Sequence, residues 1–207
     1  MAARLRLQRY HTMLKKPRPE DQKMPRLPVL HPDDMNEEQR KVHDSIVSGP
    51  RGGVRGPLAV WLHRPELADR AQTLGRYCRY ESCLPARLSE LAILTTARIW
   101  DAEFEWQAHL PPALAAGVRR EVTDALARDD IPSFTEEDEQ LVYEFTRELN
   151  LTRSVSDCLF DKALACLGQD ATVDLVGLLG YYSLISMTIK AFEVAPLTSG
   201  QPITPDQ

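Results

Sequence analysis

Along PARLSELAILTTARIW, residues 85–100, the side chains of Leu88, Leu91, Ala92, Thr95 and Ile99 recur at steps of three and four. That step is the face of an α-helix, whereas a half-buried strand would alternate every second residue. No useful length of the chain alternates in that way. The helical step instead returns in segment after segment, between turns marked by Gly and Pro. The chain therefore reads as all-α, a compact bundle of about eight or nine helices. Its 207 residues are 43% hydrophobic but only 7% aromatic, as expected of a helical core built on Leu and Ala.

The helical segments read as NEEQRKVHDSIVSG closed by Gly49, a short PLAVWLHR, a longer helix opening at Pro65, and PARLSELAILTTARIW. Asp101 then reads as the N-cap of AEFEWQAHLPPALAAG, which Pro111 should kink and Gly117 should end. RREVTDALARDD, FTEEDEQLVYEFTREL, SVSDCLFDKALACLG and DATVDLVGLLGYYSLISMTIKAFEV complete the set. Residues 17–34 hold five prolines and read as a linker. The organisation is an N-terminal arm and Pro-rich linker over 1–34, a single helical domain over 35–195, and an irregular tail over 196–207.

Charge excludes some partners. The formal net charge is −5, with no basic stripe beyond the N-terminus, so no nucleic acid is expected. The longest apolar run, Val173 to Ile189, is interrupted by Asp174, Gly177, Gly180 and several hydroxyls. It reads as a buried helix and not as a membrane span. The basic N-terminus lacks the apolar core of a secretory signal. A cytoplasmic protein is expected, with a mitochondrial presequence as the alternative, and the N-terminal segment is expected to lie over the protein or a neighbouring subunit. Cys78, Cys83, Cys158 and Cys166 form no C-x-x-C pair and read as reduced core thiols. No metal-ligand spacing appears. The loop GPRGGVRG brings Arg51 and Arg55 among glycines, but its spacing matches no phosphate-binding pattern, and it reads as a loop.

The segment AEFEWQAH carries the chemistry. Glu105 and His109 stand at i and i+4 and share a face. On the surface this is an ordinary ion pair. In a cleft, the carboxylate would raise the imidazole pKa and orient the ring, making a general acid near neutral pH. Glu90 lies 19 residues before His109 and reaches the same space if the two helices pack together. Arg98 is open between binding a substrate carboxylate and pairing with Asp101 or Glu90. His63, just before a helix start, is open between a site role and capping. Trp61 and Trp106 are open between pocket walls and core.

The pattern R-L-S-E-L-A-I-L, then A-R, E-F-E-W-Q-A-H and A-G-V, resembles the carboxymuconolactone decarboxylase family, within the fold group of alkyl hydroperoxide reductase D. The resemblance is strongest over Pro85–Val118 and fair over Gly56–Leu126. It implies an orthogonal helical bundle assembled as a homo-oligomer, a trimer or hexamer. In the peroxidase branch of that group a Glu is followed by C-x-x-C and, within a turn, by a His. Glu90 and His109 match the Glu and the His, while the two cysteine positions fall on Ala102 and Glu105. Without that thiol pair, disulfide exchange has no nucleophile.

The resemblance thus implies the decarboxylase-type branch: a cofactor-free lyase acting on a small lactone acid or related enolisable carboxylate. His109, Glu105 and Glu90 would be catalytic, with Arg98, His63, Trp106 and Trp61 around the substrate. Isomerase, dehydratase or cyclase chemistry on the same fold, and a non-catalytic ligand-binding oligomer, are the alternatives.

Overall fold

The computed structural model describes residues 26–197. The expected arm up to residue 25 and the tail from residue 198 lie outside the described residues. Eight α-helices follow in order: α1 Glu37–Val47, α2 Pro57–Trp61, α3 Pro65–Arg76, α4 Ala86–Ile99, α5 Glu103–Ala115, α6 Arg120–Ala127, α7 Glu137–Thr152 and α8 Asp157–Phe192. Among the described residues there is no strand, so the all-α expectation holds.

Local chemistry sets the helix ends. Asn36 accepts from the Gln39 amide while the Gln39 side chain accepts from the Asn36 amide, a reciprocal cap that starts α1. Pro57 and Pro65 open α2 and α3, where a missing N–H costs nothing. α3 runs on into a wider π-turn, Tyr77–Glu81. At the end of α5, Gly117 takes a positive φ, its amide bonds to Leu114 and the Val118 amide bonds to Ala113. This is a Schellman closure, with buried Val118 sealing it.

One local expectation needs correction. Asp101 is not an N-cap. It is the left-handed residue that closes α4, with its amide on Arg98 and the Ala102 amide on Ala97. Its side chain accepts from Lys190, and α5 starts at Glu103 without a side-chain cap. With only three residues between the helices, a polar residue there can serve either end, and here it serves the C-terminal one. α5 runs through both Pro111 and Pro112. The carbonyls of Gln107 and Ala108 lose the amides that would have bonded them. The two expected C-terminal helices are both present within α8, which kinks between them at Gly168, where φ 81° and ψ 171° are open to glycine alone.

α4 is the hub. It packs on α5, α7 and α8, and every residue from Leu88 to Ala97 is buried. The helix therefore has no solvated face along its middle, so any charge it carries there must be answered by a neighbour. The C-terminal half of α8 supplies Leu178, Leu179, Tyr181, Tyr182, Ile185 and Ile189 to the core. By length and composition α8 could cross a membrane, but this half is a wall of the bundle.

Candidate active site

Glu90 on α4 and Glu105 and His109 on α5 are brought together by the contact of those two helices. All three are buried, at 8%, 4% and 4% exposure. His109 lies between the carboxylates: its Nδ1 is 2.7 Å from Glu90 Oε2, and its Nε2 is 2.9 Å from Glu105 Oε1. The Tyr182 hydroxyl lies 3.4 Å from Nε2, with its ring edge-on to the imidazole. Burial alone would lower the His109 pKa. The two carboxylates outweigh it, Glu90 first and then Glu105, and the imidazole is pushed up to about 9. At neutral pH it is an imidazolium with both N–H groups engaged. Burial pushes the Tyr182 phenol well above its usual value, so it remains a neutral hydroxyl.

Glu105 and His109 open onto a cavity of about 540 Å³. Leu58, Phe104, Ala108, Pro111, Pro112 and Ile185 form its apolar wall. Gly56 has φ 55°, and a Cβ there would strike the Phe104 ring. Glycine is what allows Phe104 to close over the loop before α2. The loop from residue 49 to 56, read as a loop from its sequence, is thus also part of the wall. Its Arg51 and Arg55, together with Arg79 from the π-turn, line the cavity.

The other sequence candidates lie elsewhere. Trp61 is core: its indole N–H donates to Thr188 Oγ1 at 2.9 Å, and its ring meets Tyr181. Trp106 is buried in a second cluster with Leu91, Leu94, Val118 and Val122. Arg98 sits over the Trp106 ring at 5.4 Å. It pairs with neither Asp101, which Lys190 takes, nor Glu90, which His109 takes. His63 Nε2 lies 2.9 Å from the Pro28 carbonyl and ties down the segment before α1. None of these four is among the residues that line the cavity. Sequence reasoning missed Arg79 and Tyr182. The one signal for Arg51 and Arg55 was two arginines in a glycine-rich loop.

The four cysteines are all free, but only Cys78 is a core thiol; Cys83, Cys158 and Cys166 are exposed, against their reading as core residues, and none of the four lines this cavity. Burial pushes the Cys78 thiol up to about 11, away from thiolate reactivity. Among the described residues, no three His, Cys, Asp or Glu side chains are arranged to hold a metal ion. The arrangement suits proton transfer: an imidazolium bracketed by carboxylates, with one carboxylate and the ring edge reachable from a cavity.

Residues 65–141 match the model of the Carboxymuconolactone decarboxylase family, and this segment spans Glu90, Glu105 and His109. No curated protein matches the chain. Two solved structures share its fold. One, from Silicibacter sp. TM1040, is described as an uncharacterized peroxidase-related protein. It has a TM-score of 0.69 and 13% identity over 89% of this chain and 96% of that one. The other, from Ralstonia eutropha JMP134, is described as an alkylhydroperoxidase AhpD core and an uncharacterized peroxidase-related protein. It has a TM-score of 0.69 and 14% identity over 85% of this chain and 94% of that one. The fold is that of the AhpD-like group, as the sequence resemblance implied.

Proposed function

We propose that the protein is a cofactor-independent lyase of decarboxylase type, acting on a small lactone acid or a related enolisable carboxylate. The observation that carries this is the buried His109 held between Glu90 and Glu105 on the wall of a cavity. In such a substrate the bond from carbon to the carboxylate breaks and CO2 leaves. The electron pair moves through the adjacent C=C bond onto the lactone carbonyl oxygen. A proton must then reach carbon as the pair returns. His109 supplies it. Its Nε2–H already points at Glu105, so the proton passes from Nε2 by way of the Glu105 carboxylate to the substrate, and solvent later restores it. Glu90 holds Nδ1 and keeps the ring oriented. The Tyr182 hydroxyl steadies Nε2 as its charge changes. The apolar wall favours loss of a charged carboxylate as neutral CO2.

A peroxidase reading is prompted by the words attached to the two structural relatives. It lacks the paired thiols: the positions that the family resemblance assigns to the redox pair hold Ala102 and Glu105. One experiment separates the two readings. Small lactone acids are screened for CO2 release, with and without prior alkylation of accessible thiols. Release that survives alkylation within a few-fold supports the lyase. Peroxide turnover lost in step with free thiol, and no CO2, would establish the other chemistry.

The family resemblance also implies a homo-oligomer. Val173, Val176, Leu184 and Met187 form an exposed apolar line along α8, beside Gly177 and Gly180, where a Cβ would meet open space. This face is our proposed subunit contact. A single species near 23.4 kDa in sedimentation velocity at micromolar concentration would count against it.

A further inference from the structure

We infer that Phe104 sets the size of the ligand that the cavity admits beside Glu105, and that Gly56 is the stop that holds its ring in place. This takes the cavity to be the substrate site, as in the reading above, and adds a residue that selects the substrate by shape.

Four observations lead there. The first is the make-up of the α5 wall. Phe104, Ala108, Pro111, Pro112 and Ala115 all line the cavity, and their spacing puts them on one face of α5. The two alanines have nothing to swing, and the two proline rings are tied to the backbone. Phe104 is the side chain on that face whose length and rotamer can change the room inside.

The second is the contact behind the ring. A Cβ added to Gly56 would overlap Cζ and Cε1 of Phe104 and come within 3.0 Å of Cδ1. The edge of the ring therefore bears on the Gly56 backbone. The third is that this backbone is anchored. The Gly56 carbonyl accepts the Ala59 amide at 3.1 Å, and Pro57 follows as the first residue of α2. Moving Gly56 outward would unwind α2, which carries Leu58 and Trp61 into the core. A ligand that presses on Phe104 meets a ring with a fixed stop behind it.

The fourth is position. Phe104 precedes Glu105, whose carboxylate lies 2.9 Å from His109 Nε2, so the ring borders the proton-transfer groups. Leu58 and Ile185 line the same cavity, but both are buried core residues. Shortening either would leave a hole in the packing. Phe104 is only half-buried, so selectivity can be set there at less cost to the fold.

The experiment is equilibrium binding by NMR titration on the full chain at pH 7.5. The His109 ring resonances are followed, so that binding is read in this cavity. The probes are benzamide and 2-naphthamide, neutral amides that differ by one fused ring. In Phe104→Ala, naphthamide should gain about tenfold or more over benzamide relative to the wild type. Phe104→Leu should show a smaller gain in the same direction, and it carries the test if Phe104→Ala does not fold. Gly56→Ala should drive the ring into the cavity and weaken benzamide binding about tenfold. In Gly56→Ala/Phe104→Ala that loss should disappear, because the ring that the Cβ strikes is gone. The backbone strain at φ 55° is the same in both, so the difference isolates the contact. Wild-type selectivity in folded Phe104 variants would overturn the inference. So would a Gly56→Ala loss that is equal with and without the ring, or no binding of either probe to any folded variant. Because the probes are neutral and the readout is binding, a protein that shows these shifts but releases no CO2 keeps this inference and loses the lyase. CO2 release with no change of selectivity at Phe104 does the reverse.

Discussion

α4 carries two clusters of the same kind, one turn apart, and they do different things. At its first turn Arg87 is clamped by Asp138 at 2.8 Å and Glu139 at 2.7 Å, both on α7. One turn later Glu90 reaches the opposite way, to His109, which Glu105 holds from its other side. Each cluster is one cation between two carboxylates. In the first the cation is a guanidinium that keeps its charge at any working pH, and Asp138 and Glu139 push its pKa higher still, against the effect of burial. That cluster can only hold helices together. In the second the cation is an imidazole pushed to about 9, close enough to neutrality to give up a proton, and it lies on a cavity wall. Two carboxylates around a cation do not by themselves mark a site. A cation that titrates, placed where a ligand can reach it, does.

The sharpest way to break this comparison is to remove each cation in turn. His109→Gln keeps size and polarity but ends proton exchange near pH 7. It should cost about 10²–10⁴-fold in kcat on whichever acid the wild type turns over, with KM changing much less. Arg87→Gln should leave kcat within a few-fold. Steady-state kinetics on both variants checks the pair. Equal losses would mean that the clusters are not functionally distinct.

Arg87→Gln should show its effect in stability instead. Arg87→Gln strands Glu139, which is almost fully buried, without its cation. Breaking a fully buried pair costs about 3–5 kcal/mol. Arg87 keeps about a quarter of its side chain in solvent, so about 1–2 kcal/mol is expected, between the surface and buried limits. Urea denaturation measures it.

A third prediction uses pH to tell the clusters apart. The folded-state pKa of His109, about 9, lies above its ordinary value of about 6.5. The stability it contributes is therefore full below about pH 6.5 and is lost as pH rises through about 9. The urea midpoint of the wild type should fall between pH 7 and 10, and this component should vanish in His109→Gln. Arg87→Gln should retain it, because Arg87 does not titrate there. The alkaline limb of kcat/KM should follow the same group. In Glu105→Gln, which removes one of its two charges, that limb should move to lower pH.

The comparison also marks where sequence reading worked. Glu105 and His109 are four residues apart on one helix, so their contact is local geometry and was legible. Glu90 was legible only through a motif, because the approach of α4 to α5 is a tertiary event. Arg79 was not legible: it sits on a π-turn whose wider pitch breaks the helical register by which faces are read. Arg51 was visible as an arginine among glycines, but Gly75, whose missing Cβ leaves room for its guanidinium, is 24 positions away on α3. Helix content was readable from periodicity, and even the break at Gly168 fell where a glycine ended one apolar run. Arg98 was misplaced because its charge suggested an anion or acid partner, whereas it lies across an indole face.

The smallest predicted effect concerns Trp61, which the resemblance placed near the substrate and the fold places in the core. Its indole N–H donates to Thr188 on α8, and its ring packs against Tyr181. Trp61→Phe removes that hydrogen bond and part of the ring while leaving an aromatic group against Tyr181. Thr188 still donates to the Leu184 carbonyl, so no donor is stranded. The lost bond should cost about 0.5–1.5 kcal/mol, and the smaller ring about as much again. Since Tyr181 also meets Arg51, a change of about twofold in KM is the most that should reach the cavity. The measurement is urea denaturation beside kcat and KM on the same preparation. If kcat falls more than tenfold while stability is unchanged, Trp61 acts on the substrate and the core assignment is wrong. A stability loss with near wild-type kcat leaves the His109 cluster as the place on α4 and α5 where charge does chemistry.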